Sequence, residues 1–455
     1  MISELCLKNG SITDGTSCIK GDLHINGDKI VAITRSGEIG SEKYIDCDGL
    51  SVMPGFVDPH VHFQLDVGNY TSLDDFSSGS EAAISGGVTT FIDFTQPVNR
   101  YSDIIKSIKD RKRAAGNSRI DYSLHLTLAG DPDFAPEKLV ELAIREGLTS
   151  IKVFTAYGDS NRRTDDGYLS RLVELSGKTG VVIMIHAEND EIIKHNMNSA
   201  RSYLPKELPV IRNAKSEMID AVKIATMAAE SKGQCYMVHV SSGRTVEFLS
   251  EHFKETLNKY LFLETCPQYF SLNEESLFGD NGFLYTCCPP LRTETERKMI
   301  VKGLMEENIR SIGTDHCPFK VEEKKARKDD IREMPFGIGS IGFTYSLFRT
   351  FVSESAMDAA KILSKTPALL MGLYPDKGSL LPGSDADIVI VNPEKEWVVG
   401  KPVYGRSEYS PYEHMHLKGK VELTISKGKV VFNENQVTAN KGYGRFLSRD
   451  RIFWR

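Results

Sequence analysis

No apolar run in this sequence approaches the roughly 18 residues that a membrane-crossing helix requires, so a helical membrane span is not expected. The opening residues, MISELCLKNG, lack the charged-then-apolar order of a secretory signal. Positive charge is not in surplus either. Lys and Arg number 56 against 62 Asp and Glu, leaving a net charge of −6, which argues against nucleic acid or an anionic membrane as the main partner. The eight cysteines, Cys6, Cys18, Cys47, Cys235, Cys266, Cys287, Cys288 and Cys317, contain no C-x-x-C pair. Thiols scattered this way, with no secretion signal, read as reduced cysteines in a cytoplasm and not as a disulfide framework. What remains is ordinary for a soluble globular protein, 40% hydrophobic and 26% charged over 455 residues. At roughly 150 residues per domain that is about three units, or one α/β barrel of about 250 residues with a smaller companion.

The ends of the chain read as short strands with turns, such as GDLHINGDKIVAIT near the start, where N-G and D-G pairs are hairpin signals, and VELTISKGKVVF near the finish. Between them, apolar β-branched runs alternate with helical stretches, the pattern of parallel βαβ units. Eight such runs occur, at 55–63, 88–94, 120–128, 149–155, 181–187, 235–241, 260–266 and 309–315. They predict an α/β fold: a TIM (β/α)8 barrel over 53–375, with residues 1–52 and 376–455 combining into a small β-sandwich. The charged segment 317–340 fits either a lid over the barrel mouth or a solvated surface helix.

Chemistry in a TIM barrel sits at the C-terminal ends of the strands. Those ends carry His60 and His62 on the first strand, Lys152 on the fourth, His186 on the fifth, His239 on the sixth and Asp315 on the eighth. Residues i and i+2 of a strand face one side, so His60 and His62 look into the same space. A lone histidine at a strand end is more often structural. A second H-x-H pair, His414 and His416, has no converging partners and reads as structural or surface. The first pair differs because ligand types recur at four further strand ends. Lys152 is the odd member, since a cation beside a metal is unfavourable. Flanked by Ile151 and Val153, it is expected to point into the barrel, where a neutral amine can take up CO2 as a carbamate.

The segments GFVDPHVHF, SIKVFTAYG, MIHAEND, MVHVSSG, ETCPQYF, CPPLR and GTDHCPF resemble, in order, the motifs of the dihydropyrimidinase and D-hydantoinase branch of the amidohydrolase superfamily. The resemblance spans nearly the whole chain and implies two zinc ions. His60, His62, carboxylated Lys152 and Asp315 would hold one, and the same carbamate with His186 and His239 the other. It implies hydrolysis of a cyclic amide in a dihydropyrimidine or 5-substituted hydantoin, giving an N-carbamoyl amino acid. Asp315 would carry the proton and Tyr157 would hydrogen-bond the developing oxyanion, while His316 shapes the surroundings. Backbone groups at Cys288 and Phe336 would grip the substrate, although the branch usually has serine and asparagine there. A homotetramer, assembled partly through the C-terminal segment, is expected on the same basis.

Allantoinase and dihydroorotase are rivals within the same chemistry. Dihydroorotases usually carry an arginine two residues after the second histidine to grip a substrate carboxylate. That position is Gln64 here, so dihydroorotate is expected to be a poor substrate. Non-catalytic dihydropyrimidinase-like scaffold proteins have lost metal ligands, whereas all six positions are intact in this chain.

Overall fold

The computed structural model describes residues 2–433 and 435–454. All eight runs form strands, Phe56–Val61, Val88–Phe94, Asp121–Thr127, Ser150–Phe154, Val182–His186, Cys235–Met237, Leu261–Thr265 and Ser311–Ile312. They pair in sequence order, each parallel to the next. The ring closes between the first and last strands, where Asp315 N donates to His60 O at 2.8 Å and His62 N to His316 O at 3.1 Å. Nearly every strand residue is buried, which explains the continuous apolar runs: strands covered on both faces cannot alternate with polar residues.

The intervening helices begin where their sequences offer caps. Asn213 accepts from Ser216 N ahead of Ala214–Ser231, and Asp75 accepts from Ser77 N and Ser78 N ahead of Phe76–Ser85. The helix Pro136–Arg145 starts on a proline, whose missing N–H costs nothing at a first turn.

Both chain ends join one nine-stranded mixed sheet. Its central contact pairs Ser51–Pro54 with Ile388–Val398 antiparallel. An apolar core of its own, with Leu7, Leu23, Val52, Ile388 and Ile425 among its members, is separate from the barrel core. Lys377 joins the two units. Its buried ammonium meets Asp121 of the barrel at 2.8 Å, and Asp387 and Asp385 at 2.6 and 2.9 Å. These three carboxylates therefore already surround a cation. The last residues return to the barrel. Leu447 N donates to Tyr122 O at 2.7 Å and Ile452 N to Gly180 O at 3.1 Å, and the buried Arg449 guanidinium reaches Ser123, Leu124 and Ser150.

Segment 317–340 is partly solvated, with Glu322, Lys325, Lys328 and Asp329 exposed, and partly packed, with Phe319, Lys324 and Ile331 buried. Its only α-helical turn, Val321–Lys325, buries Lys324, whose amine donates to Thr286 O at 3.0 Å. Residues 332–337 form one wall of the cavity at the barrel mouth.

Candidate metal centre

The C-terminal rim of the barrel encloses a cavity of about 410 Å3. His62, Lys152, His186, His239 and Asp315 line it together with Tyr157, Cys288 and Phe336, and His60 lies fully buried behind His62. The metal donors, Tyr157 and the two main-chain substrate positions singled out from the sequence are thus gathered at one place. His414, in a turn, and His416, at the start of the terminal-sheet strand His416–Ser426, are both exposed and far along the chain from these donors. Another cavity, about 360 Å3 between barrel and terminal sheet, contains none of them.

The donors form two groups. His60 Nε2 and His62 Nε2 are 3.2 Å apart, and each lies 3.2–3.3 Å from Asp315 Oδ1. His186 Nδ1 faces His239 Nε2 at 2.9 Å. Burial depresses the pKa of His60, His186 and His239, so their imidazoles are neutral and offer lone pairs. Burial would raise the Asp315 carboxyl, but His60, His62 and Lys152 outweigh it and hold the group below its usual range. Neutral imidazoles and a carboxylate are a donor set suited to zinc.

Lys152 supplies the remaining donor. It is 2% exposed, stands between the rings of Phe94 and Phe154 at 5.4 and 5.3 Å, and has no ion pair or side-chain hydrogen bond among the described residues. Burial lowers its pKa to about 8. An accessible neutral amine is the form that reacts with CO2, and the carbamate would replace an uncompensated cation with an anion. The residues present therefore fit a two-metal centre.

Two carboxylates set the imidazole orientations. Glu264 Oε1 accepts from His60 Nδ1 at 2.7 Å and from His239 N at 3.0 Å, while Tyr236 Oη donates to Oε2 at 2.9 Å. Glu188 Oε2 accepts from His186 Nε2 at 2.7 Å. Burial opposes ionisation of Glu188, yet the paired Arg212 and His186 hold its pKa down to about 2. Such partners fix which nitrogen faces the metal. Sequence reading missed both glutamates, although each lies in a quoted motif. Glu188 carried a local signal, a carboxylate two residues beyond the ligand His186, whereas Glu264 ends an apolar strand that holds no ligand. His316 turns away from the cavity, its Nε2 on Asp74 at 2.9 Å and its Nδ1 accepting from Ser340 N at 3.2 Å. Asp58 ties the first and last strands by accepting from Thr314 Oγ1 at 2.6 Å and His60 N at 3.1 Å.

Backbone strain gathers here too. Tyr157, His239 and Asp315 take φ of +68°, +44° and +50°, left-handed conformations that cost on the order of 1–3 kcal/mol each for non-glycine residues. Tyr157 is held by Arg212, 4.7 Å over its ring. Gln64, expected to face the substrate, does not do so: it is exposed and absent from the cavity wall. Its own φ of +50° turns the chain at that point.

A parallel barrel with paired imidazoles, a carboxylate and a buried lysine at its mouth gathers the donors of a metal site in one cavity. The chain belongs to the amidohydrolase family, whose model matches residues 51–431. It is 32% identical over 455 residues to a D-hydantoinase of Geobacillus stearothermophilus, covering 97% of this chain and 96% of the relative. A D-hydantoinase of Streptomyces coelicolor is 30% identical over 467 residues, covering 99% and 98%. Among solved structures, a D-hydantoinase from a Bacillus species superposes with a TM-score of 0.93 at 28% identity, covering 99% of this chain and all of that one. A dihydropyrimidinase from Brevibacillus agri gives 0.91 at 28% identity, covering 98% and 99%.

Proposed function

We propose that this amidohydrolase opens the ring of dihydropyrimidines or 5-substituted hydantoins to N-carbamoyl amino acids. The observation that carries the proposal is the convergence of five donor side chains with Tyr157 on one cavity, the sixth, His60, being grouped with His62 and Asp315, in a chain similar to D-hydantoinases from end to end. His60, His62, Asp315 and carboxylated Lys152 would hold one zinc, and the same carbamate with His186 and His239 the second. When bound, the metals supply a water acidified to a pKa of about 7 and polarise the ring carbonyl.

The chain's own groups do the rest. Asp315 takes the proton of the attacking water and delivers it to the ring nitrogen as the C–N bond breaks; the water oxygen ends in the new carboxylate. Tyr157, whose phenol burial keeps protonated well above its ordinary pKa, donates a hydrogen bond to the carbonyl oxygen as it gains charge. A donor of this kind contributes about 3 kcal/mol. Main-chain groups at Cys288 and Phe336 hold the ureide edge, which a change of side chain leaves possible. A homotetramer and cytoplasmic residence belong to the same reading, the first supported by resemblance and the second by eight free thiols. No helix among the described residues is long and apolar enough to cross a membrane.

The test is kcat/KM of the zinc-loaded enzyme for dihydrouracil, 5-substituted hydantoins, allantoin and dihydroorotate under one set of conditions. Hydantoins or dihydrouracil should lead. A clear preference for dihydroorotate would overturn the substrate assignment and leave the metal chemistry standing.

A further inference from the structure

Charge on the walls of the catalytic cavity is unevenly compensated. Besides the metal donors, three side chains that are charged at neutral pH line it: Arg162, Arg332 and Glu333. Two are already neutralised. Arg332 Nε lies 2.9 and 3.1 Å from the two oxygens of Asp330, with its guanidinium 4.0 Å over Tyr203. Glu333 pairs with Arg327 at 2.7 Å.

Arg162 is different. Among the described residues its side chain has no ion pair and no hydrogen bond. The acids of that loop are taken by its neighbour, since Arg163 reaches Glu191 at 3.2 Å and Asp190 at 3.7 Å. The Arg162 side chain is half-buried in a cavity whose other walls include Leu65, Val67, Phe154, Met334 and Pro335. Its backbone N donates to Tyr157 O at 3.0 Å and both side chains line the same cavity, so it stands near the proposed oxyanion donor. A partly desolvated guanidinium without a counter-ion is costly, and its planar fork matches a carboxylate in two-point contact. Gln64, the other place where a substrate carboxylate could be read from the sequence, lies outside the cavity.

We infer that Arg162 receives a carboxylate carried on the ring substituent, so that the preferred substrates are 5-substituted cyclic ureides with an acidic arm. This rests on reading the site as a cyclic-ureide hydrolase. The arm takes no part in bond breaking, and the product is the N-carbamoyl derivative of an acidic amino acid. Arg162 sits on the loop beyond the fourth strand, at the rim, so the charge belongs on an arm and not on the ring.

The experiment compares 5-(2-carboxyethyl)hydantoin with its neutral isostere 5-(2-carbamoylethyl)hydantoin on the zinc-loaded enzyme. The acid should be favoured in kcat/KM by at least about tenfold, the scale of a hydrogen bond to a charged partner. The ratio should fall toward one in Arg162→Gln. In Arg162→Glu the preference should pass to 5-(3-aminopropyl)hydantoin, a gain that a variant damaged in folding would not show. Acid and amide opened equally well by the unmodified enzyme, or an acid-to-amide ratio unchanged in Arg162→Gln, would overturn the inference alone. Opening of no cyclic ureide at all would remove the functional reading and this inference with it.

Discussion

Glu264→Gln isolates what a buried carboxylate does for metal binding. The change is isosteric, so it opens no cavity, and Glu264 is fully buried. The amide oxygen can still accept from His60 Nδ1 and His239 N, now at 2.7 and 3.0 Å. On the other side the new NH2 meets Tyr236 Oη, which can turn to donate to Ser311 Oγ at 2.8 Å instead. The network therefore survives. Burial raises the Glu264 pKa to about 8, so what the amide removes is the negative charge that a metal held by His60 and His239 would draw out of this carboxyl. A hydrogen bond to a charged group contributes about 1–2 kcal/mol more than a neutral one, which is roughly 5–30-fold in an equilibrium constant. Zinc affinity should fall by that factor, near the range of about 10–100-fold typical for residues that orient a metal-bound histidine. Competition against a chromophoric chelator measures it, and a urea melt of the metal-free protein checks the fold. Zinc affinity within twofold of the unmodified protein, with an intact fold, would refute the reasoning.

Asp315→Asn should lose at least about 100-fold in turnover, the lower end for removing a general acid–base, while at least one metal stays bound; a loss below tenfold would assign the proton transfer elsewhere. Lys324 provides a pH test away from the centre. Burial lowers its pKa from 10.5 to about 7, so between those values the unfolded chain binds more protons than the folded one, and stability rises with pH. Relative to Lys324→Met, the unmodified protein should gain stability between pH 7 and 10.5, read from urea melts; a pH-independent difference would mean that Lys324 titrates normally. Tyr157→Phe should lower kcat by about 100-fold, the effect of losing one oxyanion donor, with zinc content unchanged; loss of zinc would make it a structural residue.

The barrel was legible because parallel strands buried on both faces leave long β-branched runs, and each run from 88–94 to 260–266 contains its strand. The last was least so, since only Ser311–Ile312 pairs regularly. Strand-end position also marked the metal donors, because topology alone brings those ends together. The orienting partners were not legible. His60 and Glu264 are 204 residues apart, and nothing local at either position announces the bond. The burial of Lys324 was hidden for a related reason: it sits in the charged run VEEKKARKDD, and only tertiary packing decides which of several lysines turns inward. Gln64 shows the converse, where a position two residues past a ligand was expected to face the substrate and a left-handed turn carries it out to solvent.

Lys152 is the hinge of the account, because without a carbamate a lysine has no place among metal donors. The most direct measurement is zinc content together with 13C NMR of protein loaded in zinc and 13C-bicarbonate, for the unmodified chain and for Lys152→Arg. Arginine stays charged and forms no such carbamate. The unmodified chain should bind two zinc ions and show one carbamate carbon, and Lys152→Arg should lose the signal, the metal pair and the activity together. Two zinc ions and normal turnover in Lys152→Arg would contradict it.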